Sequence, residues 1–234
     1  PSPAPERAIA AAVVALSLAA FASGISQRSM DALLPRLAAD FGTTLAAVAA
    51  VITAFTIGYA VVQPVFGPVG DRLGKYRVIS WSCGACAVAT LLCALAPDLG
   101  SLLAARVLAG TMAAGIIPLA MAWIGDVVPY ERRQPVLARF LVGQILGVAG
   151  GQLLGGLSAD YLGRRAPFVV AALLFAVATL VLTKLRAGLP PQALLRASPA
   201  TGAARGWRGV AAEYGEVLRL PWSRVVLGAV LVEG

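Results

Sequence analysis

Long stretches of this chain carry no charge. None of the residues from Phe41 to Gly70 is charged, and none from Val78 to Pro97. A helix needs about twenty mostly apolar residues to cross a bilayer. Inside lipid, a helix satisfies every backbone N–H and C=O within its own segment. Six runs have the necessary length, near 8–27, 45–69, 78–97, 99–125, 138–159 and 166–184. A seventh begins near Val225 and reaches only Gly234. The first run exceeds the apolar core of a secretory signal and five more follow it, so it reads as a spanning helix. The expected fold class is all-α: a polytopic membrane helix bundle of six transmembrane helices, plus the start of a seventh.

Charged residues make up 13% of the chain and apolar ones 59%, whereas a soluble domain is about 25% charged. A net charge of +8 would suggest nucleic acid in a soluble protein. Here the basic residues fill the gaps between apolar runs, with no basic stripe interleaved with aromatics, so the expected partner is the lipid bilayer and not nucleic acid. Cys83, Cys86 and Cys93 share one apolar run, and the chain has no histidine. Cys83-x-x-Cys86 therefore lacks further ligands for zinc and reads as small apolar packing in a membrane helix. No cofactor or metal is expected. Neither is an enzyme, since the acids within the membrane do not cluster.

Loop charges give an orientation. With a cytoplasmic N-terminus, the inner loops carry Arg72, Lys75 and Arg77, then Arg132 and Arg133, with Arg139 at the start of the next helix. The outer loops carry Arg28 and Arg36, then Arg164 and Arg165. The bias has the positive-inside sign expected for a plasma (inner) membrane protein. Residues 1–186 form the expected six-helix unit. Residues 187–222 read as a cytoplasmic linker with an amphipathic helix carrying Val210, Tyr214, Val217 and Leu218 on one face; a solvated linker helix is the alternative. Residues 223–234 read as the truncated start of helix 7. With no initial methionine and a last helix broken off, both ends read as those of a fragment.

The chain repeats itself. Shifted by 89 positions, Gly58 meets Gly147, Gln63 meets Gln152, Gly67 meets Gly156, Asp71 meets Asp160, Gly74 meets Gly163 and Lys75 meets Arg164. One copy runs inward and the other outward, which implies two inverted three-helix repeats.

The stretch Gly67-x-x-x-Asp71-Arg72-x-Gly74-Lys75-x-Arg77 resembles the loop 2–3 signature of the major facilitator superfamily, with Lys75 and Tyr76 where that pattern most often has Arg and Arg/Lys. Leu102-x-x-x-Arg106-x-x-Ala109-Gly110 resembles its helix 4 signature. Gly147 to Gly156 is similar to the glycine-rich helix 5 motif of the antiporter branch, with Gln152 in place of a proline. Asp31-Ala-Leu-Leu-Pro35 resembles a helix 1 motif of drug and sugar exporters. Together these cover helices 1 to 6. The resemblance implies secondary transport by alternating access, proton-coupled efflux of a small organic solute, and a C-terminal six-helix half as partner. Uptake by symport, or a non-transporting scaffold or sensor on the same fold, are the alternatives.

The resemblance further implies that Gly67, Asp71, Arg72, Gly74, Lys75 and Arg77 form a cytoplasmic latch between the halves. Arg72 and Arg77 also read as simple topology anchors, whereas an acid such as Asp71 contributes nothing to orientation. Arg106 lies about 10 Å into helix 4 at 1.5 Å per residue. There it either faces a cavity with a partner or snorkels to the headgroups; the resemblance implies a part in proton coupling. Asp31 shares a helix face with Arg28 and is either a proton-binding acid or an interfacial ion pair. Gln63, Gln144, Gln152 and Tyr59 either line a cavity or join helices by hydrogen bonds. Gly143, Gly147, Gly151 and Gly155 form a packing stripe, and Pro64 and Pro118 are candidate kinks. A cytoplasm-specific reporter fused after Lys75 is expected to be active and one after Arg165 silent; the reverse pattern overturns the orientation.

Overall fold

A computed structural model describes residues 3–194, which lie within one compact unit, Pro1–Arg196. The expected amphipathic helix near Val210 and the start of helix 7 fall outside the described residues. The helices are α1 (Pro3–Phe41), α2 (Leu45–Leu73), α3 (Lys75–Leu95), α4 (Leu99–Ala113), α5 (Ile116–Val127), α6 (Tyr130–Leu157), α7 (Ala166–Arg186) and the short α8 (Pro191–Leu194). A π-helical turn, Ser158–Leu162, continues α6. Among the described residues, six stretches are long and apolar enough to span a membrane, with α4 and α5 forming one of them. The all-helical membrane bundle expected from the apolar runs is the observed fold.

Helix ends differ from the sequence reading in ways the local chemistry explains. α1 does not stop near residue 27 but continues to Phe41, so Arg28, Asp31 and Arg36 lie on a helix and not in an outer loop. α6 starts at Tyr130, ahead of the apolar run, and carries Arg132, Arg133 and Arg139 on its first turns. Asp71 and Arg72 belong to the last turn of α2, and Lys75 opens α3. The expected charged loop is thus one residue, Gly74. Thr44 caps α2 by accepting the Ala47 N–H at 3.2 Å. Asp98 and Ser101 form a reciprocal capping box at α4, and the Ser101 N–H holds the Asp98 carboxyl below the usual carboxylate range.

The fourth span breaks at Ala114–Gly115. Pro118 explains the position: it has no N–H, and its ring opposes the carbonyl four residues back, at Ala114. Pro64 leaves α2 continuous.

Backbone contact at glycine holds the bundle together. α1 packs on α6, α2 on α4, and α3 on α7. A Cβ at Gly147 would strike the Phe21 carbonyl oxygen, and one at Gly155 that of Ser29. Gly143 and Gly151 approach Ser17 and Ile25 of α1 less tightly, with 3.0 Å from an added Cβ to the nearest atom. The same arrangement recurs between α2 and α4, where a Cβ at Gly58 would meet the Val107 carbonyl and one at Gly110 that of Phe55. The two contacts correspond. Gly58 and Gly147 are 89 positions apart, and their partners Val107 and Phe21 are 86 apart. Gly110 corresponds to Gly24, which lies 3.0 Å by its absent Cβ from the Gln144 carbonyl, 89 positions after Phe55. The inverted repeat therefore reaches beyond sequence matches into the packing itself.

Beyond Arg186, at the head of the expected linker, Leu189 and Ala193 are buried against the bundle. The Trp123 indole N–H donates to the Ala193 carbonyl at 2.7 Å.

Substituting Gly147→Val is expected to destabilise the bundle by about 1–3 kcal/mol through overpacking. Gly67→Ala, where nothing lies within 4 Å of the added carbon, should be near neutral. Reversible unfolding in mixed micelles checks the contrast.

Candidate functional site

Chain direction puts the α2–α3 joint and the C-terminus of α5 at one end of the bundle. The C-terminus of α1 and the α6–α7 joint lie at the other. Each end carries a charged cluster, and the clusters are built alike.

At the first end Gly74 takes φ +92, a conformation side chains resist, and its N–H donates to the Gly70 carbonyl at 2.9 Å. This tight joint aims Lys75 at two acids. Its Nζ lies 2.6 Å from Asp126 Oδ2, at the end of α5, and 3.5 Å from Asp71 Oδ1. Asp126 was not among the residues singled out from sequence. Tyr76, where the family pattern most often has a basic residue, is fully buried. Its hydroxyl donates to the Leu182 carbonyl at 3.0 Å, and its ring packs on Trp123 at 5.3 Å. Arg77 turns away from the acids and lies over the Trp81 ring at 4.4 Å. Arg72 sits on the last turn of α2, and Gly67 has open space around it.

At the second end Gly163 takes φ +81, with its N–H on the Ser158 carbonyl at 2.8 Å. Arg164 follows and lies 3.7 Å from Asp40, at the end of α1. Asp40 also accepts from Arg36 at 3.0 Å. Arg164 sits over the Phe41 ring at 4.4 Å and donates to the Ala96 carbonyl at 3.4 Å. Gly163 and Arg164 follow Gly74 and Lys75 by 89 positions, and Asp126 follows Asp40 by 86. These are the same offsets that relate the glycine contacts. Asp40 too was missed from sequence. The signal that would have found it is a comparison of helix 1 with helix 4 at that second offset.

Between the two ends lies Arg106, only 1% exposed. It does not snorkel. It donates to the Ser26 carbonyl on α1 at 3.1 Å and to the Val51 carbonyl on α2 at 3.4 Å. Its guanidinium lies 4.3 Å over the Phe55 ring, which in turn stacks with Tyr59 at 6.2 Å. Arg106 and Tyr59 are thus joined through Phe55. A guanidinium has five N–H donors in a planar fork, which lets one side chain tie α4 to two neighbours. Asp31 lies within electrostatic reach of Arg106 but makes no hydrogen bond to it. It is exposed and paired with Arg28 at 3.4 Å. Gln63 and Gln152 lie on exposed faces of α2 and α6, and Gln144 is half-buried. The three cysteines are buried free thiols of α3.

The sequence profile of the Major Facilitator Superfamily matches residues 16–233. The chain belongs to that superfamily. Among curated relatives, it is 30% identical over 147 residues to the multidrug export protein EmrB of Escherichia coli K12, covering 63% of this chain and 29% of the relative. It is 28% identical over 149 residues to the fatty acid resistance protein FarB of Neisseria gonorrhoeae, covering 64% of this chain and 29% of that one. The matched stretch therefore spans under a third of these relatives' length. A crystal structure of a peptide transporter, POT, in complex with sulfate superposes with TM-score 0.68 at 16% identity, covering 94% of this chain and 45% of that one. That likeness concerns the fold alone. With its six spans, this superfamily member is an integral membrane protein.

Arg106→Lys is expected to destabilise the bundle by about 1–3 kcal/mol, because an ammonium lacks the fork that serves both carbonyls. Unfolding in mixed micelles measures it, and an unchanged stability would remove Arg106 from the tie between α1, α2 and α4.

Proposed function

We propose that this superfamily member forms the N-terminal half of a proton-coupled exporter of small organic solutes that works by alternating access. The observation that carries the reading is the pair of inverted three-helix units, joined to each other by a cation–carboxylate tie at each end of the bundle. A carrier that opens to either side in turn needs equivalent closures at both ends, and inverted repeats supply them. The partner is a second six-helix half. α2 and α6 present faces with few buried residues, including Val61 at 69% and Leu153 at 66% exposure, and Gln63 and Gln152 lie on those helices. An apolar surface with sparse polar groups suits both a second half and an organic solute. The names of the curated relatives, which speak of multidrug export and fatty acid resistance, support efflux over uptake.

In this reading the Lys75–Asp126–Asp71 cluster is the cytoplasmic latch, with the N-terminus in the cytoplasm of an inner-membrane protein. Lys75 holds the α2–α3 joint to α5, and Asp71 keeps the joint's charge poised toward the second half. Arg106 holds α1, α2 and α4 in register. Asp31, exposed and salt-bridged near the outer end of α1, is the candidate proton-binding acid.

Asp71→Asn is expected to slow efflux severalfold while leaving membrane insertion and abundance intact. The assay is protonophore-sensitive solute movement in energised inverted vesicles holding both halves. Wild-type rates in that variant count against the latch. Movement of solute with no dependence on any ion gradient overturns secondary transport.

A further inference from the structure

The two end clusters share a plan but not a charge balance. At the Lys75 end, one ammonium faces two carboxylates, Asp71 and Asp126. At the opposite end, Arg36, Arg164 and Arg165 converge on a cleft of about 270 Å³ with Asp40, Leu162 and Gly163. Three guanidiniums there face one carboxylate. Asp160, the counterpart of Asp71, is exposed on the π-helical turn and does not line the cleft.

The donors are only partly used. Arg36 gives one bond to Asp40 and one, at 3.3 Å, to the Ala159 carbonyl. Arg164 is fixed by Asp40, Ala96 and the Phe41 ring. Arg165 is exposed beside them at the head of α7. Planar guanidinium forks match the oxygens of a phosphate group. The surplus charge is held in place by Gly163, whose left-handed backbone turns the joint so that Arg164 and Arg165 follow one another into the cleft.

We propose that this cleft binds a phosphate-type anion at the bundle end opposite Lys75. A membrane lipid headgroup is the source the surroundings favour. Tyr161 and Leu162, next to the arginines, are 81% and 59% exposed. A tyrosine and a leucine left bare beside basic side chains suit the boundary between acyl chains and headgroups. A free phosphate would have no use for that apolar flank.

The test uses the purified protein with defined lipids and reads lipid retention by native mass spectrometry. Wild type is expected to retain phosphatidylglycerol in preference to phosphatidylcholine. Arg165→Gln, which breaks none of the ties just described, should lower that preference about fivefold, the effect of one basic residue near a charged headgroup. Arg133→Gln, at the other end, should leave it unchanged. Asp40→Asn removes the cleft's one carboxylate and should strengthen retention, whereas a purely structural cluster would weaken it. In a parallel arm, inorganic phosphate is titrated against lipid-free protein in detergent. Thermal stabilisation by phosphate that Arg165→Gln abolishes, without a phosphatidylglycerol preference, assigns the site to a soluble anion. Equal retention of both lipids together with no response to phosphate overturns the proposal, as does an Arg165→Gln variant that matches wild type in both arms.

Discussion

Direct contact between helix backbones is what the rest of this bundle depends on. In lipid, helices gain nothing by hiding apolar side chains from one another, so association rests on close packing. Glycine removes the side chain where two helices cross. Gly147 and Gly155 bring α6 against Phe21 and Ser29 of α1, and Gly58 and Gly110 do the same for α2 and α4. With these crossings in place, Arg106 reaches two neighbouring carbonyls and the joints at either end bring cations within range of distant acids. Had any of those positions carried a larger residue, the helices would stand apart and the polar ties would lose their geometry.

The inverted repeat is a physical correspondence as well as a textual one. Two offsets, 89 for the second helix of each repeat with its joint and 86 for the first, relate glycine to glycine, cation to cation and acid to acid. The correspondence is incomplete, and the differences carry information. Lys75 meets two carboxylates, whereas three guanidiniums line the cleft beside Asp40. α4 and α5 are separated by a break that α1, uninterrupted past Pro35, does not share. The two units share their packing and differ at their ends.

The spans were legible because the length of an apolar run is a direct measure of membrane thickness. Helix extents were not, since a helix continues past the hydrocarbon when its flanking residues still favour helix. That is how Arg28, Asp31 and Arg36 came to lie on α1. The glycine stripe on α6 and the break ahead of Pro118 followed from spacing and from proline chemistry. Asp126 and Asp40 escaped a reading by helical periodicity, because a lone acid beside a loop has none and its cation lies far along the chain, 51 positions for Lys75 and Asp126; only the 86-position offset relates them. The choice between burial and snorkelling for Arg106 also needed coordinates, since depth along a helix says nothing about which way the side chain turns.

The single-residue joint at Gly74 makes reading-frame phase a property of this protein. One residue turns a helix by about 100° at 3.6 residues per turn. A residue gained or lost between Leu73 and Lys75 would swing the ammonium off Asp126 and, with it, rotate every buried side chain of α3 out of its seat against α7. A length change at this spot is therefore unlike an ordinary loop insertion. It acts along a whole helix.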